Sequence, residues 1–554
     1  MTDRRFSAPD LARRLLAPIA ALLGLVVGLS VLILPSPAPT TADPTTFSAE
    51  RAMASINRLA DEPHSVLRRE AHDRARDDVI SMFANLGYTA NVHSDPLFDF
   101  SIPEDKETFD MLSTEQQAAV KDATADTIVV DVPGKSERTM ALMAHYDSAT
   151  VEGTENDEQS YSSGTSHGAA DDGYGVAAII ETLRAIKAEG RQPENSLKIV
   201  ITDGEEIGLV GARNEMRHHR ADYDNVDLFL NLEARGMSGP AFMFETSPNN
   251  SAVAGYFLSH VKQPVTGSLL PSLYARMPNT TDMAKVIPEG FTVLNIAAIG
   301  EADHYHHATD APRYVNHSTL QHYGDQVLDL TRAWAFDGQT PTLTANGDLH
   351  FFQLWRGMTV SYPATVGTGL GCLAIIAALG VVVVRARSLR WKRVLGTVWG
   401  LTWRAASVSA AAGLVQLGAM AMKWAPETGI GPNPLLPWMF AGGALIGAGL
   451  TAHFVVRRWK EGLGQETLAA VLLLLAAACV PLMVLLPGAA YVLVLPTLTL
   501  ALTALAPQRV RPVVGALAAF IMVVIFAPTV LLIHELLSLS AVWVTVFFAI
   551  VPVA

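Results

Sequence analysis

The stretch SLKIVITDGEE, residues 196–206, is a short apolar run that ends in two adjacent carboxylates, Glu205 and Glu206. Its β-branched residues and the turn residues around it predict a buried strand. Four further runs of the same kind are DTIVVDV (126–132), TMALMAH (139–145), VDLFLNLE (226–233) and FTVLNIAAI (291–299). The sequence therefore predicts five strands, and the paired glutamates follow one of them directly.

A helix is predicted between the second and third of these strands in chain order. The segment GYGVAAIIETLRAIKAEG, residues 173–190, ends at a typical helix stop, Gly190. Its apolar residues recur on one helical face: Val176, Ile179, Ile180, Leu183 and Ile186. Strands and helices in alternation predict an α/β fold with a mostly parallel central sheet and helices on both faces.

Ligands in such folds bind beyond the carboxyl ends of the strands, so the residues there are the first candidates for a site. Five separate segments place His, Asp, Glu or Tyr at these ends: His145, Asp147, Asp171, Asp172, Asp203, Glu205, Glu206, Glu233, Asp303, His304, Tyr305, His306, His307 and Asp310. Carboxylates and imidazoles at close range destabilise one another unless a cation lies among them. Imidazole and carboxylate ligands without thiolate suit zinc, manganese or a similar divalent ion.

Each of these residues also has an ordinary structural interpretation. A single strand-end carboxylate is usually a helix cap or a solvated turn residue, and Asp172 is placed to cap the helix that begins at Gly173. His167 is interpreted as a loop residue, and His218 and His219 as solvated residues of a polar helix. The shared location of the five segments is what favours a metal site.

Composition divides the chain into two unlike parts. The 554 residues are 50% hydrophobic and 17% charged, with formal net charge -13. Residues 36 to about 350 resemble an acidic globular domain that is long enough to bury a core. Apolar runs of about 20 residues can cross a bilayer as helices, and they occur once near 15–34 and about seven times after 361. The sequence therefore predicts a membrane protein, in contact with lipid, that carries one large soluble domain.

Basic residues indicate the orientation, because they prefer the cytoplasmic ends of spans. Clusters precede the first run and follow the second, fourth and sixth spans: Arg4, Arg5, Arg13 and Arg14, then Arg385, Arg387, Arg390, Lys392 and Arg393, then Arg457, Arg458 and Lys460, then Arg509 and Arg511. Alternation returns each cluster to the inner face, so the soluble domain is predicted to be extracytoplasmic. The first run is either a membrane helix or a cleaved signal peptide, and both place the domain outside.

Composition also argues against two classes of protein. The acidic soluble half would repel phosphate, so no nucleic-acid partner is expected. Cys372 and Cys479 are the only cysteines and both lie in apolar runs. The soluble domain therefore has no disulfide framework and no cysteine metal site.

Five motifs occur in order at the predicted strand ends: HYD (145–147), GAADDGYG (168–175), DGEEIGLVGA (203–212), NLEARG (231–236) and YHHATDA (305–311). They resemble the co-catalytic di-zinc aminopeptidase family, which includes leucyl aminopeptidases and glutamate carboxypeptidases. Glu233 stands where many relatives have Asp. That variant and the multi-span C-terminal half are most similar to the membrane branch, the vacuolar membrane proteases and the endoplasmic reticulum metallopeptidase. The motifs cover about residues 50–335.

The resemblance implies a role for each motif residue. Two zinc ions would be bridged by Asp171, with His145 and Glu233 completing one site and Glu206 and His306 the other. Asp147 would orient the His145 imidazole, and Tyr305 would donate to the oxyanion. Glu205 would be the general base that takes a proton from the metal-bridging water. The chain departs from the family in a long polar loop after Asp147, at 149–167.

Composition and apolar runs predict a domain layout, and the resemblance implies an activity. The expected domains are a cytoplasmic N-terminus with a transmembrane helix (1–35), a linker (36–46), an extracytoplasmic zinc peptidase domain (47–350) and an all-α multi-span domain (361–554). The expected activity is that of a membrane-anchored di-zinc exopeptidase, an aminopeptidase acting on peptides. A glutaminyl-cyclase-like enzyme with one zinc and a non-catalytic receptor are the alternatives. Because residues 540–554 are short for a crossing helix, a truncated form is also expected.

Overall fold

The computed structural model describes residues 8–150, 164–277, 280–338, 342–403 and 464–537. By internal contacts the chain divides into two compact units. One is Leu32–Pro363, and the other combines Met1–Val31 with Ala364–Ala554. The candidate site residues from the sequence all belong to the first unit.

A seven-stranded sheet forms the centre of the first unit. Its strands are β1 (Asn91–Pro96), β2 (Thr124–Val132), β3 (Ser136–His145), β4 (Asn195–Thr202), β5 (Val226–Ala234), β6 (Ser238–Thr246) and β7 (Val293–Gly300), in the order β1-β2-β4-β3-β5-β7-β6. The four inner strands, β4, β3, β5 and β7, are parallel. The flanking strands pair antiparallel. A separate hairpin pairs β8 (Leu349–Trp355) with β9 (Met358–Pro363).

Helices surround the sheet. Those of the first unit are α2 (Ala49–Leu59), α3 (Arg69–Asn85), α4 (Pro103–Met111), α5 (Thr114–Val120), α6 (Gly173–Ala188), α7 (Val210–His218), α8 (Ser251–His260), α9 (Leu269–Tyr274), α10 (Met283–Val286) and α11 (His317–Phe336). The predicted α/β class is confirmed: the five predicted strands are β2, β3, β4, β5 and β7, and the predicted helix is α6. Gly190 follows α6 with a left-handed φ of 67°, which suits glycine.

Alternate residues of the strands build two cores on opposite faces of the sheet. On β3, Leu142 packs with α2, α3, α6 and α11, whereas Met143 packs with the apolar faces of α7 and α10. The same alternation runs along β4, where Ile199 and Val200 face opposite cores. Helices therefore cover both faces, and the strand ends of the inner sheet are left for other contacts.

The segment 36–46, predicted to be a linker, makes specific hydrogen bonds to the first unit. The backbone N–H of Ala38 donates to Gln321 Oε1 at 2.8 Å. The guanidinium of Arg51 donates to the carbonyl oxygens of Thr40 and Ala42 at 3.0 and 3.1 Å. These bonds tie the segment to α2 and α11.

The second unit contains apolar helices: α1 (Ala8–Leu29), α12 (Ala364–Arg385), α13 (Gln465–Leu485), α14 (Tyr491–Leu505) and α15 (Arg511–Leu537). In the described residues, four stretches are long and apolar enough to cross a membrane: Leu15–Leu32, Ala364–Ser388, Gln465–Leu485 and Arg511–Thr529. The spans predicted between 404 and 463 and after 537 lie outside the described residues, as does the cluster of Arg457, Arg458 and Lys460.

Two glycines bring α1 against α15. A Cβ on Gly24 would lie 2.6 Å from the carbonyl oxygen of Phe520, and one on Gly28 would lie 2.7 Å from that of Val524. Any larger residue would collide with the α15 backbone. The GLVVG stretch is therefore a small-residue contact between two apolar helices, of the kind that lets membrane helices approach closely.

Candidate metal centre

The parallel strands of the sheet bring the predicted residues to one edge. His145 ends β3, Glu233 is near the end of β5, and Glu205 and Glu206 lie in a 3-10 turn just after β4. Gly204, with a left-handed φ of 67°, turns the chain from β4 into that turn. Asp171 lies before α6, and His306 follows β7 in a loop.

The first group of side chains comprises His145, Asp171 and Glu233, all of them buried. His145 Nε2 lies 3.4 Å from Asp171 Oδ1 and 4.0 Å from Glu233 Oε2. Two carboxylates therefore converge on one imidazole nitrogen. These three side chains can all direct a ligand atom to one cation.

The second group comprises Asp171, Glu206 and His306. His306 Nε2 lies 3.3 Å from Asp171 Oδ2 and 3.1 Å from Glu206 Oε2. Asp171 belongs to both groups and offers a different oxygen to each. The arrangement suits two cations that share the Asp171 carboxylate.

Unpaired polar atoms show that the residues fit such cations. Within the part of the chain that the structure describes, several buried atoms of this centre have no hydrogen-bond partner: His145 Nε2, Asp171 Oδ2, Glu206 Oε1 and both ring nitrogens of His306. Buried polar atoms are normally hydrogen-bonded because leaving them unpaired costs about 1–3 kcal/mol each. Bound cations would satisfy the two Nε2 atoms and the carboxylate oxygens, whereas His306 Nδ1 lies on the other side of its ring.

The charges of the centre lead to the same conclusion. Burial raises the pKa of Glu206 to about 7 and that of Glu233 to about 8. Burial alone would lower the pKa of His306, but the carboxylates of Glu206 and Asp171 raise it to about 10. Burial opposes ionisation of Asp171, but the close imidazoles of His145 and His306 lower its pKa. The centre holds protons that a divalent cation would displace.

Glu205 is adjacent to Glu206 but is not a member of the two groups that contain Asp171. It forms a third possible metal group with His145 and Glu206. Burial and the neighbouring carboxyls of Glu233 and Glu206 raise the pKa of Glu205 well above its ordinary value. Its carboxyl group is therefore more basic than that of an exposed glutamate.

Asp147 holds the glutamate turn in place. Its two carboxylate oxygens accept the backbone N–H groups of Glu205 and Glu206, each at 3.1 Å. His145 Nδ1 lies 2.9 Å from the backbone carbonyl of Asp147 and 3.4 Å from its carboxylate. Both groups of Asp147 therefore contact the centre, and the carbonyl is the nearer partner of the imidazole.

Tyr305 stacks on His306, with ring centroids 3.7 Å apart. The Arg235 guanidinium lies over the Tyr305 ring, 5.8 Å from its centroid. His306 itself adopts a left-handed φ of 58°. A non-glycine residue in this conformation is uncommon and often marks a functional site. The stacked tyrosine fixes the plane of the imidazole.

Two further carboxylates organise the loop around Asp171. Asp172 Oδ1 accepts the N–H of Gly175 at 3.0 Å as the cap of α6, and Oδ2 accepts the N–H of His145 at 3.3 Å. Asp310 accepts the N–H groups of Ala170 and Asp171 at 2.7 and 3.4 Å. These residues position the loop and are not members of the two groups.

The remaining candidates lie elsewhere. Asp203 is buried and accepts from Tyr146, His72 and the N–H of Asp126, so it belongs to a separate network. The other loop residues do not enter the two groups: His304 contacts the carbonyl of Thr309 at 3.1 Å, Asp303 and His307 are exposed, and His167 contacts the carbonyl of Ala60 at 3.0 Å.

One residue near the centre was not predicted from the sequence. Asp282 is buried, and Oδ2 accepts the hydroxyl of Thr202 at 2.5 Å. In the described residues its Oδ1 has no hydrogen-bond partner. Burial raises the pKa of Asp282 to about 6, and its charge in turn raises the pKa of both Glu205 and Glu233. Asp282 precedes the short helix α10 and does not follow a strand, so its position in the sequence gives no sign that it lies near the centre.

Comparison with known proteins gives one matching family and several distant relatives. Residues 127–331 match the profile of Peptidase family M28. A vacuolar membrane protease of Lodderomyces elongisporus is 29% identical over 210 residues, which cover 37% of this chain and 20% of that protein. Endoplasmic reticulum metallopeptidase 1 of Mus musculus is 23% identical over 219 residues, covering 39% of this chain and 24% of that protein. The matches thus span about a quarter or less of these relatives.

Two solved structures resemble part of this chain. A glutaminyl cyclase of Porphyromonas gingivalis has TM-score 0.39 and 18% identity, covering 52% of this chain and 98% of its own. An aminopeptidase from Aneurinibacillus sp. strain AM-1 has TM-score 0.41 and 12% identity, covering 55% of this chain and 98% of its own. The resemblance expected from the five motifs is confirmed by the family match: residues 127–331 of this chain match Peptidase family M28, with distant homology to vacuolar membrane proteases and endoplasmic reticulum metallopeptidase 1.

Proposed function

We propose that this protein is a membrane-anchored di-zinc exopeptidase, and specifically an aminopeptidase that removes N-terminal residues from peptides. The observation that carries the proposal is the pair of ligand groups that share Asp171, with Glu205 beside them. The family match and the names of the relatives, a protease and a metallopeptidase, support peptide hydrolysis.

The proposed ligands follow from the two groups. His145 and Glu233 would hold one zinc ion, Glu206 and His306 would hold the other, and Asp171 would bridge them. Bound zinc would supply Lewis-acid chemistry, because it polarises a carbonyl and lowers the pKa of water. Hydrogen bonding to the second nitrogen of a ligand His fixes its tautomer, and the Asp147 carbonyl does so for His145.

Glu205 is proposed as the general base. Its carboxylate would accept a proton from the attacking water and pass it to the nitrogen of the leaving peptide. The Asp147 carboxylate, through the N–H groups of Glu205 and Glu206, keeps the base and the ligand in fixed positions relative to each other. The proposed oxyanion donor, Tyr305, is held by its stacking on His306.

The principal alternative is a glutaminyl-cyclase-like enzyme with one zinc. Such a site would need only one of the two ligand groups, whereas this chain retains both. A non-catalytic receptor would not need Glu205. Retention of all six residues is therefore the argument for a two-metal hydrolase.

The experiment that tests the function measures bound zinc and substrate preference on the full-length protein. We expect two zinc ions at the candidate metal centre, release of the first residue from unblocked aminoacyl substrates, and no release from N-acetylated ones. Cyclisation of N-terminal glutamine with no peptide hydrolysis would instead identify a cyclase. Absence of any turnover with both ions bound would favour the receptor.

Zinc affinity should rise with pH between about 6 and 8. The carboxyls of Glu206 and Glu233, with pKa values near 7 and 8, and the imidazolium of His306, with a pKa near 10, must lose protons before they bind zinc. Acidic pH therefore opposes binding, and binding releases protons. Calorimetric titration of the zinc-free protein in two buffers of different ionisation enthalpy measures the release. Equal heats in both buffers, with affinity unchanged from pH 6 to 8, would contradict this protonation pattern.

The basic clusters support an extracytoplasmic location for the soluble unit, and labelling can test this orientation. In a chain with Cys372→Ala and Cys479→Ala, we expect a membrane-impermeant maleimide to label Lys121→Cys on intact cells. Ser388→Cys, beside Arg387, should react only after lysis. Both positions are exposed, so accessibility within the protein is matched. Labelling of Ser388→Cys on intact cells, with Lys121→Cys protected, would reverse the orientation.

A further inference from the structure

A second group of ligand-type side chains lies outside the candidate metal centre, where the edge strand β1 meets the end of α7. His93 and Asp95 come from β1, and Glu215 and His219 come from the last turn of α7 and the residue after it. One nitrogen or oxygen atom each of His93, Glu215 and His219 lies within 4.8 Å of the other two. Asp95 joins them, because His219 Nε2 lies 2.9 Å from Asp95 Oδ2.

We propose that this group, the β1–α7 cluster, is a further binding site for a divalent transition metal, with zinc as the expected ion. Two imidazoles with carboxylates and no thiolate form a ligand set that zinc accepts. With both imidazoles neutral, the Glu215 carboxylate offsets part of the charge of the ion, and Asp95 adds a second carboxylate beside His219. The proposal does not depend on the function of the candidate metal centre.

The spacing of the ligand atoms suits a small ion. His93 Nδ1 lies 3.0 Å from each carboxylate oxygen of Glu215. Two ligands on a tetrahedral zinc ion, with bonds of about 2.0–2.1 Å, are roughly 3.3 Å apart. His93 and Glu215 are therefore already near that spacing. The nearest nitrogen of His219 would have to move by no more than about 1.5 Å to complete it.

Neighbouring contacts order the side chains of the cluster. The rings of His93 and His219 are stacked, with centroids 4.0 Å apart and planes at 21°, so one ring must rotate out of the stack before both nitrogens can point at one ion. The hydroxyl of Tyr223 donates to Glu215 Oε2 at 2.6 Å. Metal ligands are commonly oriented by such an outer partner. The Tyr223 hydroxyl therefore holds Glu215 in position, with its carboxylate directed at His93.

The site is open to ions from solution. The side chains of His93 and His219 are 19% and 27% exposed, whereas that of Glu215 is 1% exposed. The two partly exposed imidazoles leave a path by which an ion can enter, and the buried carboxylate of Glu215 supplies a negative charge beneath them. This partial burial of His219 contradicts its interpretation as a solvated residue, whereas His218 is exposed as expected.

A bound ion would join β1 to α7, which begins four residues after Glu206. Glu215 lies five residues after the first residue of α7, a rise of about 7.5 Å, and the cluster shares no residue with the candidate metal centre. Its expected effect is to stabilise the first unit and to hold the helix that follows the glutamate turn. Hydrolysis should persist when the cluster is removed.

The test compares zinc content among full-length proteins equilibrated at one buffered concentration of free zinc. We expect the double variant His93→Ala/His219→Ala to bind one zinc ion fewer per chain than the wild type. His218→Ala, the exposed neighbour, should bind the same number as the wild type. Because the readout is a difference, it does not depend on how many ions the candidate metal centre holds. Equal zinc content in wild type and double variant would overturn the proposal and leave the cluster as two ion pairs.

The single variant His219→Gln provides a second test in case the double variant does not fold. Adding zinc to the chelator-treated wild type should raise Tm by about 5 °C more than it does in His219→Gln. The candidate metal centre is intact in both proteins, so its contribution cancels. An equal rise in Tm in the two proteins would contradict a metal site in the β1–α7 cluster.

Discussion

Replacing Glu205 with Gln should lower kcat by about two to four orders of magnitude, the usual worth of a positioned acid or base, while bound zinc remains unchanged. Glutamine keeps the size of the side chain and removes the proton acceptor. The N–H of residue 205 would still donate to Asp147, so the turn after β4 should keep its conformation. Steady-state kinetics together with zinc analysis on the same preparation would measure both effects.

Glu206→Gln is the matched comparison, because it makes the same chemical change one residue later. Glu206 Oε2 lies 3.1 Å from His306 Nε2, which also contacts Asp171 Oδ2. The amide of glutamine would therefore replace an anionic metal ligand. We expect this variant to lose zinc together with activity, and excess zinc should restore part of the activity. If the two variants retain equal zinc, or if Glu205→Gln turns over substrate near the wild-type rate, the roles assigned to the two glutamates are wrong.

Asp171→Asn should remove at least one zinc ion and lower kcat/KM by more than about 100-fold, which is the upper cost of losing a mere outer partner of a metal ligand. The two carboxylate oxygens of Asp171 face different histidines, His145 and His306. An amide can offer an oxygen to only one of them and presents an N–H₂ group to the other. No other described residue belongs to both groups that Asp171 joins, so no neighbour can substitute for it.

Asp303→Asn is the control for this change, since Asp303 is exposed and lies in the loop of His306 without joining the centre. It should retain zinc and activity. Zinc content measured by mass spectrometry and kcat/KM for an aminoacyl substrate give the two readouts. Full zinc occupancy in Asp171→Asn would show that the ions are held without a shared carboxylate.

The sequence predicts the inner strands well because they are continuous β-branched and apolar runs, as expected for strands buried on both faces. It does not predict β1, whose residues NVHSDP are mostly polar, because that strand is at the sheet edge and half in water. It does not predict β6, where Gly239 and Pro240 interrupt the run SGPAFMFET. An antiparallel edge strand tolerates such residues better than an inner strand.

Local sequence predicts the candidate centre where a residue follows a strand and fails where the partner is distant in the chain. His145, Glu206 and Glu233 are candidates because they lie at strand ends, the family resemblance identifies them as ligands, and the parallel sheet brings them together. The Asp147 carboxylate was expected to serve the adjacent His145, but the amides that it accepts lie after another strand. The same limit applies to His219, whose helical spacing gives no sign of Asp95 on β1.

The contact of Gly24 and Gly28 with α15 affects how the protein is made. These glycines are among the first residues to leave the ribosome, and their partners Phe520 and Val524 follow almost 500 residues later. At about 5–20 residues per second, α1 must wait roughly 25–100 s before α15 exists, while the whole first unit is synthesised and folds. During that interval the glycine face of α1 is covered by lipid or by another helix of the membrane. A chain interrupted before residue 511 would keep all the residues of the candidate metal centre and leave its first helix permanently without this partner.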